Sequence, residues 1–564
     1  MENKEYMLID GNPVEINGEK NLLEVIRKAG IELPTFCYHS ELSVYGACRM
    51  CMVENSHGGM EAACSTVPKA GMEIYTNTER LHKHRKMILE LLLANHCRDC
   101  TTCQKNGKCR LQELASLFGL ESIRFKNLKP EPELDTSSLS IIRDAHKCIL
   151  CGDCVRMCNE IQNVGAIDFV NRGSKMVIGP AFNEPIANSP CVGCGQCAAV
   201  CPTGAIVIRK DTGRVWPELN DKNTKVVAQV APAVRVAMAK EFGLPENENS
   251  MGRITAALRR LGFDEVYDTA TGADLTVLEE SNEFLQRIEA GENLPLITSC
   301  CPAWIQYCEK NHPELMKNIS TCKSPMQMFS SVIKAKYATS SRRVVCVAVM
   351  PCTAKKFECA REEFMHDGVP ETDYVITTQE LIQMIHKAGI VFDELEPEAV
   401  DSVFSTCTGA GVIFGVTGGV TEAVLRRLST DKSNKALMSI AFNDVRGMKC
   451  VKETTIPYGD KEVRIAIVSG LKNAEKVIQA LKNGEHYDFI EVMACPGGCV
   501  AGGGQPFGTN ATKEVRGKAL YSADKMLSIK RSEENPLMLS LYDGVLKGRV
   551  HELLHVHYNH KEEE

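Results

Sequence analysis

The feature that most constrains this chain is a doubled run of cysteines. Cys148, Cys151, Cys154 and Cys158 read C-x2-C-x2-C-x3-C, and Cys191, Cys194, Cys197 and Cys201, followed by Pro202, repeat the spacing. Zinc ribbons lack the third closely spaced thiol. The spacing is that of paired iron–sulfur cubanes, in which the fourth cysteine of each run ligates the other cluster. It assigns Cys148, Cys151, Cys154 and Cys201 to one [4Fe–4S] cluster, and Cys191, Cys194, Cys197 and Cys158 to the second.

These eight belong to a total of 27 cysteines in 564 residues, enough chain for several domains. Disulfides need an oxidising compartment, yet Met1–Tyr6 opens no signal peptide or twin-arginine pair. No apolar run approaches the roughly 20 residues that span a bilayer. The expectation is a soluble, reduced, cytoplasmic protein with no membrane partner, most of whose thiols ligate metal. The net charge of -7 gives no reason to expect nucleic-acid binding.

Upstream, Cys37, Cys48, Cys51 and Cys64 sit in a β-rich segment with strands over Tyr6–Asp10 and Pro13–Ile16 and a short helix over Asn21–Lys28. Their spacing departs from the plant-type iron–sulfur pattern, and a structural zinc is the alternative. A basic-then-apolar helix, Leu81–Leu93, then runs into His96, Cys97, Cys100, Cys103 and Cys109. Two ligand sets compete there: four thiolates, or His96 in place of Cys97. Spacing alone leaves both open. A Pro-, Glu- and Ser-rich linker, Lys129–Ser140, follows.

From Lys225 the texture changes to apolar runs (Val226–Val230, Leu294–Thr298, Val344–Val349, Val463–Val468, Phe489–Val492) between amphipathic helices (Met251–Leu261, Leu275–Ile288, Asn473–Leu481). This alternation predicts α/β architecture with mixed, largely parallel sheets. Three cysteine-bearing loops leave the carboxyl ends of predicted strands, where such sheets place ligands. They are Thr298–Trp304 with Cys300 and Cys301, Met350–Lys356 with Cys352, and Met493–Cys499 with Cys495 and Cys499 before Gly502–Gly504. Thiolates are soft ligands for iron–sulfur, zinc or Cu(I).

These three segments, in this order, resemble the signature loops of the iron-only ([FeFe]) hydrogenases, and the likeness extends over nearly the whole chain. Cys37-Tyr38-His39 and Gly46–Cys51 resemble the [2Fe–2S] segment that these enzymes share with respiratory NADH dehydrogenases. The resemblance implies a two-lobed α/β catalytic domain over 213–564, with a C-terminal helical segment. Before it would come a β-grasp-like [2Fe–2S] domain (1–80), a His/Cys-ligated [4Fe–4S] domain (81–128) and a ferredoxin-like α+β domain with two [4Fe–4S] clusters (138–212). It favours His96 over Cys97. It also implies an H-cluster: a [4Fe–4S] cubane on Cys301, Cys352, Cys495 and Cys499, joined to a di-iron unit with CO, CN⁻ and a dithiolate amine. Cys300 would pass protons, followed by Glu280, Glu283, Ser320 and Arg287. Pro232, Ser324, Met350, Pro351 and Met493 would line the pocket, with Lys355 hydrogen-bonded to a cyanide.

The implied reaction is 2H⁺ + 2e⁻ ⇌ H₂, with ferredoxin or a similar carrier, maturation proteins for the di-iron unit and NAD-linked partner subunits as partners. Two other readings remain. An electron-relay subunit of an NADH-dehydrogenase-like complex would leave the loops at 298–304 and 493–506 unused. A non-catalytic iron–sulfur assembly relative need not keep Cys300, Glu280 and Glu283. Lys356 reads as a surface lysine. Cys308, Cys322, Cys346, Cys359, Cys407 and Cys450 read as small buried hydrophobes. His551, His555 and His557 read as part of a helix with no soft or acidic cluster nearby, and the charged end Lys561–Glu564 as solvated. Thr421 departs from the methionine common at that place in the family.

Overall fold

The computed structural model describes residues 5–127, 133–429, 445–458 and 461–558. Residues 129–132 of the predicted linker and the charged end 561–564 lie outside them. A five-stranded sheet opens the chain, formed by β1 (Glu5–Ile9), β2 (Asn12–Ile16), β3 (Met52–Asn55), β4 (Met60–Ala62) and β5 (Glu73–Tyr75) in the order β2-β1-β5-β3-β4. The helix Leu22–Lys28 packs on it, its first turn capped by the Asn21 side chain, which accepts the Glu24 amide. The helix Glu79–Ala94 then delivers the chain to His96.

The doubled cysteine region carries two short antiparallel pairs: β6 (Ile141–Arg143) with β9 (Ile206–Ile208), and β7 (Asp168–Val170) with β8 (Val177–Gly179). The remainder is built on two four-stranded sheets. In the first, β11 (Glu265–Asp268), β10 (Thr224–Val230), β13 (Arg343–Met350) and β16 (Tyr374–Thr377) are all parallel, in that order. A small hairpin, β14 (Met365–His366) and β15 (Val369–Pro370), precedes β16. The second sheet orders β12 (Leu296–Ile297), β19 (Phe489–Met493), β18 (Lys461–Ser469) and β17 (Val451–Tyr458). Only its β17–β18 pairing is antiparallel.

These strands read as unbroken apolar runs because helices cover both faces of a parallel sheet. Val226, Val345, Val347 and Val349 sit in one core, and Ile297, Ala466, Val468 and Ile490 in another. The helix Ala270–Ala290 lies between the sheets and is buried along its first half. The last described segment returns to the stretch before Pro325, where the amide of Val556 donates to Thr321 O at 2.7 Å and that of Lys323 to Leu554 O at 2.8 Å, and it touches this helix where His555 Nε2 lies 3.1 Å from Glu279 Oε2. The ends of β10, β12, β13 and β19 thus open toward a common space. No helix is long and apolar enough to cross a membrane among the described residues.

Candidate metal centres and active site

Each N-terminal cysteine group gathers into a nest. The Cys48 amide lies 3.4 Å from Cys37 Sγ. The Cys51 and Cys64 thiols hydrogen-bond each other, and the partner thiol is the main cause that holds Cys51 down at about 7 while Cys64 is pushed up. His96, Cys97, Cys100, Cys103 and Cys109 line one cavity of about 280 Å³ with Gly204. His96 Nδ1 accepts the Arg98 amide at 3.2 Å, so the nitrogen suited to ligation is Nε2. A Cβ on Gly204 would lie 2.7 Å from Cys103 Sγ; only glycine leaves that thiol its place.

The paired runs cross over. Cys148, Cys151, Cys154 and Cys201 line one cavity, and Cys158, Cys191, Cys194 and Cys197 another, each about 400 Å³. Burial pushes the thiols of Cys151, Cys154, Cys194 and Cys197 well above the ordinary range, and neighbouring thiolates add to this. Four thiolates cannot coexist in such a nest without a cationic centre, so the donor sets fit iron–sulfur clusters.

Thr353 Oγ1 donates to Gly193 O at 2.7 Å, and Ser140 Oγ to Thr353 O at 3.0 Å, tying the second nest to the β13 loop. Gln196 Nε2 donates to Cys495 Sγ at 3.1 Å and to Ala501 O at 2.9 Å. A Cβ on Gly503 would meet Cys194 O at 2.4 Å. The second nest therefore adjoins the thiols of the third signature loop. Sequence reasoning missed Gln196; its place between Cys194 and Cys197 was the available signal.

At the strand ends lies a cavity of about 600 Å³, lined by Pro232, Cys300, Cys301, Met350, Pro351, Cys352, Lys355, Met493 and Cys499. Cys301 begins a helix in extended conformation, and its Sγ accepts the Ala494 amide at 3.4 Å. Burial raises the thiols of Cys352, to about 11, and of Cys495 and Cys499; charge on the other thiols of the four raises them further. That is the donor chemistry of a cubane, beside a cavity with room for a further group. Lys355 Nζ pairs with Glu358 at 2.7 Å and donates to Cys300 O at 3.3 Å. Ser324 is not among the lining residues; its hydroxyl accepts the Gln327 amide and caps the helix Pro325–Lys336, which puts Pro325 and Met326 on the wall. Phe414, Gly415 and Ala273 also line it; nothing in their spacing marked them.

Behind the cavity runs a line of polar groups. The Cys300 thiol is pushed up by burial first and then by Glu280. Glu280 is fully buried; desolvation and the nearby Glu283 raise its carboxyl to about 8, against smaller opposing effects of Ser320 and the Ser299 backbone. Ser320 Oγ donates to Glu283 Oε2 at 2.8 Å, and Arg287 Nη2 to Glu283 Oε1 at 2.5 Å. Glu491, unmarked in the sequence, accepts the Gly418 and Thr421 amides and the Thr421 hydroxyl, at 2.7–2.8 Å. The Thr421 hydroxyl therefore serves a buried carboxylate with a hydrogen bond that a methionine side chain could not donate.

Three further expectations fail. Lys356 is buried and pairs with Asp211 at 2.8 Å and Glu380 at 3.0 Å, because the strand and helix that follow fold over it. Cys450 is exposed. His555 does have acidic and soft neighbours: the donor atoms of Glu283, Cys322 and His555 lie within 4.8 Å of one another. It follows the short helix Val550–Leu554 in an extended segment rather than lying within a helix.

Comparison with known proteins places this geometry. Residues 224–503 match the family model "Iron only hydrogenase large subunit, C-terminal domain", and 510–561 match "Iron hydrogenase small subunit". Residues 6–79 match a 2Fe-2S iron-sulfur cluster binding domain, 85–124 the NADH-ubiquinone oxidoreductase-G iron-sulfur binding region, and 147–209 a 4Fe-4S dicluster domain. The chain is 40% identical to NADP-reducing hydrogenase subunit HndD of Solidesulfovibrio fructosivorans, over 98% of both chains. It is 35% identical to iron hydrogenase 1 of Clostridium pasteurianum, over 98% of this chain and 99% of that one. Among solved structures, a variant of [FeFe]-hydrogenase HydA1 from Chlamydomonas reinhardtii matches 62% of this chain and 98% of its own, with 37% identity and a TM-score of 0.54.

Proposed function

Because the chain belongs to the iron-only hydrogenase family and so interconverts protons, electrons and H₂ with iron–sulfur relay domains, we propose the following division of labour among its residues. Cys301, Cys352, Cys495 and Cys499 hold the cubane of the H-cluster, whose di-iron unit supplies the bond-making chemistry when bound. Pro232, Met350, Pro351 and Met493 wall the cavity, and Lys355 presents an ammonium that suits a cyanide ligand. This is the cleft of a two-lobed domain over 213–564. The preceding segments form the β-grasp-like [2Fe–2S], His/Cys [4Fe–4S] and two-[4Fe–4S] ferredoxin-like domains already bounded. Four accessory clusters then relay electrons, the last reaching the cavity beside Gln196 and Cys495.

Protons travel by Cys300, Glu280, Ser320 and Glu283, with Arg287 holding the outer carboxylate. Glu280 carries the reading. A carboxyl held at about 8 keeps its proton at neutral pH yet can release it, which is what a relay member between a thiol and a hydroxyl must do. Electron-carrier or subunit partners accompany the family. The likeness to an NADP-reducing hydrogenase subunit favours an assembly with nucleotide-binding partner subunits over ferredoxin alone. Maturation proteins insert the di-iron unit, and the protein works in the cytoplasm.

The test is Glu283→Gln and Glu280→Gln in matured protein with a reduced dye. Infrared CO and CN⁻ bands should persist while H₂ evolution falls by at least ~100-fold, the usual worth of a sole proton-transfer group. Unaltered rates would overturn the route.

A further inference from the structure

The route leaves one step unexplained. Arg287 stands outside Glu283, but a guanidinium is never deprotonated in proteins. Its N–H groups are also engaged: Nη1 donates to Asn318 O and Nη2 to Ile319 O, both at 2.9 Å. Arg287 can position Glu283 but cannot carry a proton by losing one.

On the other side of Glu283 lies the returning C-terminal segment. The Val556 and Lys323 backbone bonds set His555 opposite Cys322. Cys322 Sγ is 3.8 Å from Glu283 Oε2, and a His555 ring nitrogen is within 4.8 Å of both groups, the span of one thiol or one water. The ring is held at both nitrogens: Nδ1 is 2.8 Å from Thr321 Oγ1, and Nε2 is 3.1 Å from Glu279 Oε2. Burial works to raise the Glu279 carboxyl, yet the hydrogen bonds of His555 and Tyr542 prevail and hold it below the usual range. Outward, the exposed His551 ring lies 4.7 Å from that of His555.

We propose that this segment provides a second mouth for the proton route, in which His555 exchanges protons with Glu283 and passes them to solvent by way of His551. This rests on the route through Glu283 proposed above. Going outward, the Glu283 carboxyl loses its proton and an N–H bond forms on the His555 imidazole. The imidazolium then gives up one proton to His551 or water. Inward transfer reverses these steps, and no electron moves. Imidazole is the side chain suited to such exchange between pH 5 and 8.

The experiment compares holoenzyme variants at equal CO and CN⁻ band intensity. His555→Gln and His555→Ala should lower dye-driven turnover by about fivefold, less than a sole relay group would cost because other solvent paths remain. Millimolar imidazole should restore part of the His555→Ala rate. Infrared difference spectra on H₂ reduction should show a deuterium-sensitive imidazole band that His555→Gln removes. Wild-type rates in both variants would overturn the proposal. So would a loss that imidazole does not relieve, together with an absent imidazole band in the wild type. If Glu283→Gln is also silent, the whole route fails; if it alone collapses turnover, only the second mouth does.

Discussion

Each nest up to Ile208 takes its thiols from one run of chain or from two crossed runs of a single segment, whereas the pocket takes Cys301, Cys352, Cys495 and Cys499 from the ends of three strands in two sheets. The nests need few partners beyond their own loops: Gly204 for Cys103, crossed cysteines for the paired runs. The pocket draws its walls from both sheets and the helix Ala270–Ala290, and the C-terminal return packs on that helix through His555 and Glu279. Electron relay can thus be assembled from local modules, while a reaction that handles protons as well needs a fold that buries carboxyls at chosen depths. If that contrast is right, damage to a nest should cost one cluster, and damage to the pocket should cost turnover.

The sharpest test is Cys300→Ala. It leaves the four proposed cubane thiols untouched, so iron content and infrared bands should persist while turnover falls by ~100-fold or more. Aspartate there should recover part of the rate. Loss of active-site iron would make Cys300 a ligand and blur the division between holding and shuttling. Next in size is the junction. Gly503→Ala forces a Cβ to within 2.4 Å of the Cys194 carbonyl, so the second nest must shift away. Turnover with a protein electron donor should drop by about tenfold, equivalent to ~1.4 kcal/mol at the barrier, while turnover with a small dye should hold. Equal losses with both donors would mean that the pocket itself had been damaged.

A smaller effect should appear in stability. Burial, with the charge of Glu283 beside it, pushes the folded Glu280 carboxyl up to about 8, well above the usual carboxylate range. A raised carboxyl contributes stability that is complete below the unfolded value and is lost as pH climbs through the folded one. Glu280→Gln should therefore raise Tm relative to wild type at pH 8 and change it little at pH 4, even as it abolishes the proton route. Calorimetry across that range checks it; parallel curves would contradict the burial argument. Least of all, Cys97→Ala should leave cluster content and spectra near normal, whereas His96→Ala should remove or alter one [4Fe–4S] signal. The reverse outcome would return the ligand role to Cys97.

The same contrast explains what could be read beforehand. Cysteine spacing is local, so the nests and the order of the signature loops were legible, as were the strands that end at them. Burial is not local. Glu280, Glu283 and Arg287 at i, i+3 and i+7 look like any solvated helix face; what covers the outer two is chain from residue 318 onward. Lys356 misleads for the same reason, since its partners Asp211 and Glu380 lie far away in sequence on either side. His555 looked isolated because its acidic neighbours precede it by more than 270 residues.

The return of the C-terminal segment also sets a timetable for biosynthesis. Asp274, on the helix beside the pocket, accepts hydrogen bonds from Ser532 and Asn535, and Thr321 O waits for the Val556 amide. A chain made from its N-terminus folds domain by domain as it emerges. The relay segments can therefore fold while the ribosome is still working, whereas these ties must wait until residues 532–556 have left it. The helix beside the pocket thus gains its C-terminal partners only after the relay segments have had time to fold.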